Sequence, residues 1–433
     1  MQLSNFGAKM STVSGVRRIL DDIQAATSGA DRSEWLNLGV GNPAQISEVT
    51  QAWRELTLAN VEERFTDAAT RYGPTRGSVV LIDAIIDYFG EKFGWGLEPD
   101  NILVAPGNQM LCFIATTVFT GPTAEGHARL ALPSVPDYTG YQSLSLAQDG
   151  IVGIEPRIEM LDGRRFRYAF DFDALQRTER IGAILLSDPC NPSGRAMTVS
   201  ERDGLIDIAC ARGVPLIVDH AYGSPFPGVT RSVAPPVFHD NVVNCFTLSK
   251  AGLPGERLGF GIGPKHLIAP MSSFMSNSVL HAPQLVQATV ASALATRRID
   301  AMVEQSITAH YEVKRAIAEK LLDASLGTEL DWHLHTSTGG MFCWLWIRDE
   351  WFDGDAFYQS LKSRKVCIVP GASFFVDGHA ATPRSALPVG SGELETHARQ
   401  CIRLSLSADE AVVTEAIGRI AEALNQHSSP VPV

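Results

Sequence analysis

Nowhere does the sequence run uninterrupted through the roughly 20 apolar residues that a membrane-spanning helix needs, which argues against an integral α-helical membrane protein. It also lacks an excess of positive charge. The net formal charge is -12, so neither nucleic acid nor an anionic membrane surface is an expected partner, since phosphate-rich surfaces call for a basic face. No two of the seven cysteines form a C-x-x-C pair, and their number is odd. Cys112, Cys190, Cys210, Cys245, Cys343, Cys367 and Cys401 read as reduced core residues of a cytoplasmic protein. The opening MQLSNFGAKMSTVSG has no apolar h-region, so no secretory leader is expected. Repeats and low-complexity tracts are missing too, and only the tail HSSPVPV reads as loose. What the chain does have is core material. Its 433 residues amount by length to roughly two to three domain equivalents, and the 45% that are apolar are ample for a full core.

Short apolar runs alternate with amphipathic stretches through the middle of the chain. The pattern predicts strands at Asn101–Ala105, Arg129–Leu132, Ile151–Ile154, Ile181–Ser187, Val214–Asp219, Val242–Leu248 and Leu258–Ile262. Helices are predicted at Ser78–Phe93, Gln109–Phe119, Ser200–Arg212 and Pro283–Ala295. Strands separated by helices imply an α/β fold whose mostly parallel central sheet is sandwiched by helices. In such sheets functional groups gather at the carboxyl ends of the strands. Arg298–Ser325 has a long helical pattern without Gly or Pro and reads as a connector. Beyond it, Gly340–Ile347, Asp355–Ser363, Val366–Val369, Gln400–Ser405 and Ala408–Asn425 alternate strand and helix, the mark of a smaller α+β unit. Asp377–Glu395, rich in Gly, Pro, Ser and Ala, is predicted to be a mobile loop. The expected division is a large domain over 50–320 and a small one built from 1–49 and 321–433.

The densest chemistry lies between Pro215 and Gly261, in PLIVDHAYGSPFPG and NCFTLSKAGLPGERLGFGIG. One apolar strand ends on Asp219, and Tyr222 follows. Another runs into Thr247, Ser249 and Lys250, with Arg257 beyond. An acid, a phenol, hydroxyls, a lysine and an arginine, all where buried strands stop, are the parts of a pyridoxal phosphate (PLP) site. Such a site needs an amine to hold the aldehyde and a carboxylate to keep the ring nitrogen protonated, because a protonated ring is the better electron sink. It also needs donors for the ring oxygen and amides, hydroxyls and an arginine for the phosphate.

Each residue taken singly has an ordinary reading as well. Lys250 alone is a strand-end lysine, but its neighbours Thr247, Ser249 and Arg257 are phosphate-binding types. Asp219 could be a cap or a metal ligand. Only His220 stands beside it, so no metal site is predicted. Asn191, in SDPCNPSG, is either a turn asparagine or a ligand contact. Gly107, Asn108 and Gln109 form a turn into a helix, whose free amides suit a phosphate. Tyr138, in PSVPDYTGY, either stacks on a cofactor ring or packs like any boundary aromatic. Arg403 lies inside the apolar strand CIRLSLS, where a charge is costly unless paired. It makes a structural ion pair, or its fork awaits a substrate carboxylate.

Together with FGAKMSTVSG and the LGVGNPAQI segment around Asn42, these blocks resemble the fold-type I PLP-dependent aminotransferases over nearly the whole chain. By this resemblance Lys250 is the cofactor lysine and proton shuttle, Asp219 pairs with the ring nitrogen, and Tyr222 and Asn191 hold the ring oxygen. Asn108, Gln109, Thr247, Ser249 and Arg257 would hold the phosphate and Tyr138 would stack on the ring. Arg403, helped by the backbone at Gly39, would bind the substrate α-carboxylate, and Asn191 would touch the substrate as well as the ring. Tyr72, in RYGPTRG, matches a tyrosine that reaches the neighbouring subunit's phosphate, which implies a homodimer with shared active sites. The implied reaction is ping-pong transfer of an amino group, by way of pyridoxamine phosphate, between an aliphatic L-amino acid and a 2-oxo acid such as pyruvate. Two further readings stay open on the same residues: another carbanion reaction, such as that of a lyase or of a biosynthetic enzyme that modifies an amino acid, and a PLP-binding regulatory module. The latter usually carries a basic DNA-binding head, and this acidic chain shows none.

Overall fold

The computed structural model describes residues 2–11, 15–29, 31–376 and 391–428. Its larger sheet has eight strands. Across it run Gly121–Thr123, Gly126–Leu132, Ile181–Ser187, Leu216–Asp219, Val242–Thr247, Gly259–Ile262 and Ile102–Ala105, with Ile151–Gly153 added beside Gly126–Leu132. The run from Gly126–Leu132 to Val242–Thr247 is parallel, and Gly259–Ile262 is antiparallel to both its neighbours. The chain ends of Ile102–Ala105, Ile181–Ser187, Leu216–Asp219 and Val242–Thr247 therefore share one edge. Ile102–Ala105, Leu216–Asp219, Val242–Thr247 and Gly259–Ile262 are buried throughout, as strands covered on both faces must be.

The covering helices have legible causes. Val79–Phe93 starts at Ser78, whose side chain accepts from the Leu81 amide, and stops at Gly94 with φ 69°. Its Leu81, Ile85 and Phe89 face the sheet, and the Phe89 ring lies 4.9 Å from that of Phe246. Val199–Arg212 opens on a reciprocal capping box between Thr198 and Glu201 and closes on Gly213. Asn108–Phe119 differs: Gly107 precedes it with φ 84° and no side chain caps its first amides. Ser47–Ala69, which the sequence pattern did not predict, packs through Trp53, whose indole N–H donates to the Ala251 carbonyl at 2.7 Å. This bond ties the helix to the loop following Lys250.

The second sheet has six strands, in the order Val369–Pro370, Cys401–Ser405, Phe342–Ile347, Trp332–His335, Arg165–Ala169 and Arg157–Leu161. The last two form a hairpin that comes from the middle of the sequence and was not anticipated. Leu36–Asn37 pairs with Val366–Cys367, and Ile23 and Leu38 pack into the apolar cluster of the C-terminal helices. The connector predicted as one helix comprises Arg298–Met302, a π turn at Val303–Ile307, and Thr308–Ser325. The predicted mobile loop lies over residues 377–390, outside the described residues. Its last part is helical instead, as Ser391–Arg399. All seven cysteines are free, and only Cys210 is exposed.

Candidate active site

The strand ends of the larger sheet open into a cleft of about 400 Å³. Twelve of the fourteen candidate residues line it: Gly39, Asn108, Gln109, Tyr138, Asn191, Asp219, Tyr222, Thr247, Ser249, Lys250, Arg257 and Arg403. Gly107 sits just behind, as the residue preceding the Asn108–Phe119 helix. Tyr72 is elsewhere. It is 87% exposed, edge-on to His281, and does not face this cleft.

Asp219 ends its strand, buried at the floor. One carboxylate oxygen accepts from the Asn108 amide at 2.6 Å and from the Ala221 backbone at 3.1 Å. The other accepts from the Tyr141 hydroxyl at 2.8 Å. Burial outweighs these donors and the Lys250 charge and holds the carboxyl above its ordinary range. Among the described residues no basic side chain forms an ion pair with it.

Arg403 has the converse problem. It is buried at 5% exposure and has no carboxylate partner among the described residues. Its guanidinium donates to Asn191 Oδ1 at 3.0 Å and to the Gly39 carbonyl at 2.8 Å, while its Nε has no partner. It lies 4.2 Å from the Phe342 ring centre and 5.0 Å from that of Phe374. Burial presses its pKa down to about 10, leaving it a cation at neutral pH. Asn191 links this cation to the phenol: its Nδ2 donates to the Tyr222 hydroxyl at 2.9 Å.

Lys250 Nζ projects into the cleft, donates to the Gly41 carbonyl at 2.8 Å and lies 5.8 Å from the Tyr222 ring centre. Burial, then the Arg403 and Arg257 charges, lower its pKa to about 8, with Asp219 opposing. Such an amine keeps a far larger neutral, nucleophilic fraction near physiological pH than an ordinary lysine does.

At the opposite end the Gly107 turn, Ser249 and Arg257 converge. The Arg257 guanidinium reaches Ser249 Oγ at 3.4 Å, and Thr247 Oγ1 lies 3.0 Å from the same hydroxyl. A side chain at Gly107 would meet Arg257 Nη2 at 2.6 Å. This bare cradle, with uncapped helix amides and a cation, has the chemistry of a phosphate seat. The side chain of Asn108 does not serve it, being committed to Asp219 and the Cys245 carbonyl. Any phosphate contact from Asn108 falls to its backbone amide.

These residues fit PLP. A buried carboxylate lacks a cation, a buried arginine lacks a carboxylate, and an activated lysine and an anion seat lie in the same cleft. Among the described residues no group of histidines, cysteines and acids suits a metal ion, and no helix is long and apolar enough to cross a membrane. Sequence reasoning missed Tyr141, Gly41 and Ser187. All three lie in segments singled out for a neighbour: Tyr141 in PSVPDYTGY, Gly41 in LGVGNPAQI and Ser187 at the start of SDPCNPSG.

The fold and the cleft define a fold-type I PLP-dependent aminotransferase. The chain belongs to the family of class I and II aminotransferases, whose model matches residues 33–420. It is 31% identical to the valine–pyruvate aminotransferase of Escherichia coli K12 over 98% of this chain and 99% of that protein. The crystal structure of valine-pyruvate aminotransferase AvtA from Salmonella typhimurium LT2 superposes with a TM-score of 0.81 at 28% identity, covering 94% of this chain and 98% of that one. A structure from Psychrobacter arcticum 273-4 superposes with a TM-score of 0.89 at 30% identity, covering 98% and 99%.

Proposed function

We propose that this aminotransferase moves the amino group of an aliphatic L-amino acid, of valine or alanine size, onto a 2-oxo acid such as pyruvate. One observation carries the choice of substrate. Apart from Asp219, Lys250, Arg257 and Arg403, the residues lining the cleft bear no charge, and Ile19, Leu20 and Phe374 give it an apolar wall. A short aliphatic side chain can be buried there, whereas an acidic one would find no cation in this chain's lining beyond Lys250, Arg257 and Arg403, which the cofactor and the α-carboxylate engage. The similarity to the E. coli valine–pyruvate enzyme supports the same class.

In this reading Arg403, with the backbone at Gly39, takes the substrate α-carboxylate and fixes the Cα hydrogen relative to Lys250. Lys250 tethers the cofactor and then, as a free amine, carries the Cα proton. Bound PLP supplies the electron sink that makes Cα acidic. Asp219 keeps the ring nitrogen protonated, and Asn191 and Tyr222 hold the ring oxygen. Tyr138 covers the ring face. Gly107, Asn108, Gln109, Thr247, Ser249 and Arg257 seat the phosphate. Exposed Tyr72 would serve the site of a second copy, in a cytoplasmic homodimer with shared active sites. We keep 50–320 and 1–49 with 321–433 as the two proposed domains, with the Arg157–Ala169 hairpin lending strands to the smaller one.

The test has two arms. With PLP, the wild type should gain an absorbance band near the visible that Lys250→Ala lacks; an unchanged band with retained activity overturns the site. A panel of amino acids against pyruvate and 2-oxoglutarate should favour aliphatic donors and pyruvate. A preference for acidic donors overturns the substrate.

A further inference from the structure

Asp137 lies in the PSVPDYTGY loop, is 1% exposed, and does not line the cleft. Its carboxylate nonetheless joins two loops that do. Oδ1 accepts from the Tyr138 backbone amide at 2.7 Å and from the Ser187 hydroxyl, and Oδ2 accepts from the Ser187 amide at 3.2 Å. The Ser187 oxygen in turn accepts from the Asn191 amide at 3.2 Å. The backbone N–H of Asp137 donates to the Phe374 carbonyl at 3.2 Å. Asp137, through its carboxylate and its backbone N–H, and the Ser187 hydroxyl thus link the backbones of Tyr138, Asn191 and Phe374.

A buried carboxylate is costly, and three donors on two oxygens are what make it tolerable. Burial raises its pKa to about 6, and the charge of Arg195 favours the ionised form. The other charges acting nearby are the buried carboxyl of Asp188, held up to about 7 by burial, and Glu201 beyond it. Asparagine has the same shape but would turn an NH2 group toward donors. A neutral amide cannot reproduce this node.

We propose that Asp137 is a positioning residue for the cofactor site, holding Asn191 and Tyr138 in register through Ser187. The proposal rests on the assignment of Asn191 and Tyr222 to the cofactor's ring oxygen. Donors held against that oxygen favour its ionised form. When they slacken, the pH at which the bound cofactor's absorbance changes moves up.

The experiment is a spectrophotometric pH titration of wild-type, Asp137→Asn and Ser187→Ala holoenzymes, with PLP affinity measured by equilibrium dialysis. The expected result for both variants is a midpoint raised by about one pH unit, tenfold in the proton equilibrium, with PLP affinity weakened several-fold. A lowered melting temperature with an unmoved midpoint makes Asp137 merely structural and overturns the proposal. If Asp137→Asn does not fold, Ser187→Ala decides, since it removes the hydroxyl that links Asp137 to Asn191. Lys250→Ala, run in parallel, separates the two failures: loss of its band with unmoved midpoints refutes Asp137 alone, whereas a retained band refutes the site.

Discussion

Replacing Arg403 with methionine separates a structural arginine from one that waits for substrate. In the free protein its buried charge has no counter-ion among the described residues, and a pKa pressed to about 10 corresponds to a cost on the order of 3 kcal/mol. Methionine relieves that cost and keeps an apolar stem between Phe342 and Phe374. Against this, Asn191 Oδ1 and the Gly39 carbonyl lose their donors, at about 1–3 kcal/mol each. The two sides nearly offset, so the unfolding free energy should change by less than about 2 kcal/mol. Catalysis should not be spared. Losing two charge-assisted bonds to the substrate carboxylate, roughly 1.5–3 kcal/mol each, lowers kcat/KM about 10²- to 10⁴-fold. The assay pairs urea unfolding with kcat/KM for valine and for isobutylamine, which has no carboxylate. Valine should lose its advantage while the amine is little affected. A stability loss above about 3 kcal/mol, with both amines slowed alike, would refute the reasoning and make Arg403 a structural residue.

Because burial and two cations favour the neutral form of Lys250, the rate at which apoprotein takes up PLP should rise with pH through a midpoint near 8. Stopped-flow mixing checks this, and a midpoint above 10 contradicts it. Gly107→Ala puts a side chain at a positive φ and 2.6 Å from Arg257 Nη2. It should weaken PLP binding by about tenfold or more while costing the apoprotein about 1–2 kcal/mol. Equilibrium dialysis giving wild-type affinity would show that the turn does not seat the phosphate. Tyr141→Phe removes one of the three N–H and O–H donors to Asp219, leaving that oxygen only the weak Cys112 thiol at 4.0 Å, and should loosen PLP about tenfold, at roughly 1.5–3 kcal/mol for a bond to a charged group. Unaltered affinity would mean that Asn108 and the Ala221 amide suffice.

Strands that are buried on both faces announced themselves as apolar runs, and the residues at their carboxyl ends, Asp219 and Lys250 among them, were legible for the same reason. Ser47–Ala69 was hidden because Leu58 and Phe65 stand exposed and blur the stripe formed by Val49, Trp53 and Leu56. Pro270 masked the helix Lys265–Ser278, since a proline inside a helix reads as a break. The contacts of Tyr141 and Gly41 could not be foreseen from local pattern. Their partners, Asp219 and Lys250, are 78 and 209 residues away, and only the folded chain brings them together. The hairpin Arg157–Ala169 was obscure because its outer strand is largely exposed and its inner one finds its partner across a long gap.

That hairpin also sets a timetable for biosynthesis. Arg165 and Phe166 pair with Leu334 and His335, so this strand leaves the ribosome long before its neighbour exists. At about 5–20 residues per second the wait is roughly 8–30 s. Throughout it, one side of Arg165–Ala169 presents unpaired amides and carbonyls, a template for pairing with another nascent chain. The eight-stranded sheet has its last strand, Gly259–Ile262, well before the six-stranded one is complete. A growing chain should therefore pass through a period with one finished sheet and one open hairpin, during which a chaperone has the most to protect.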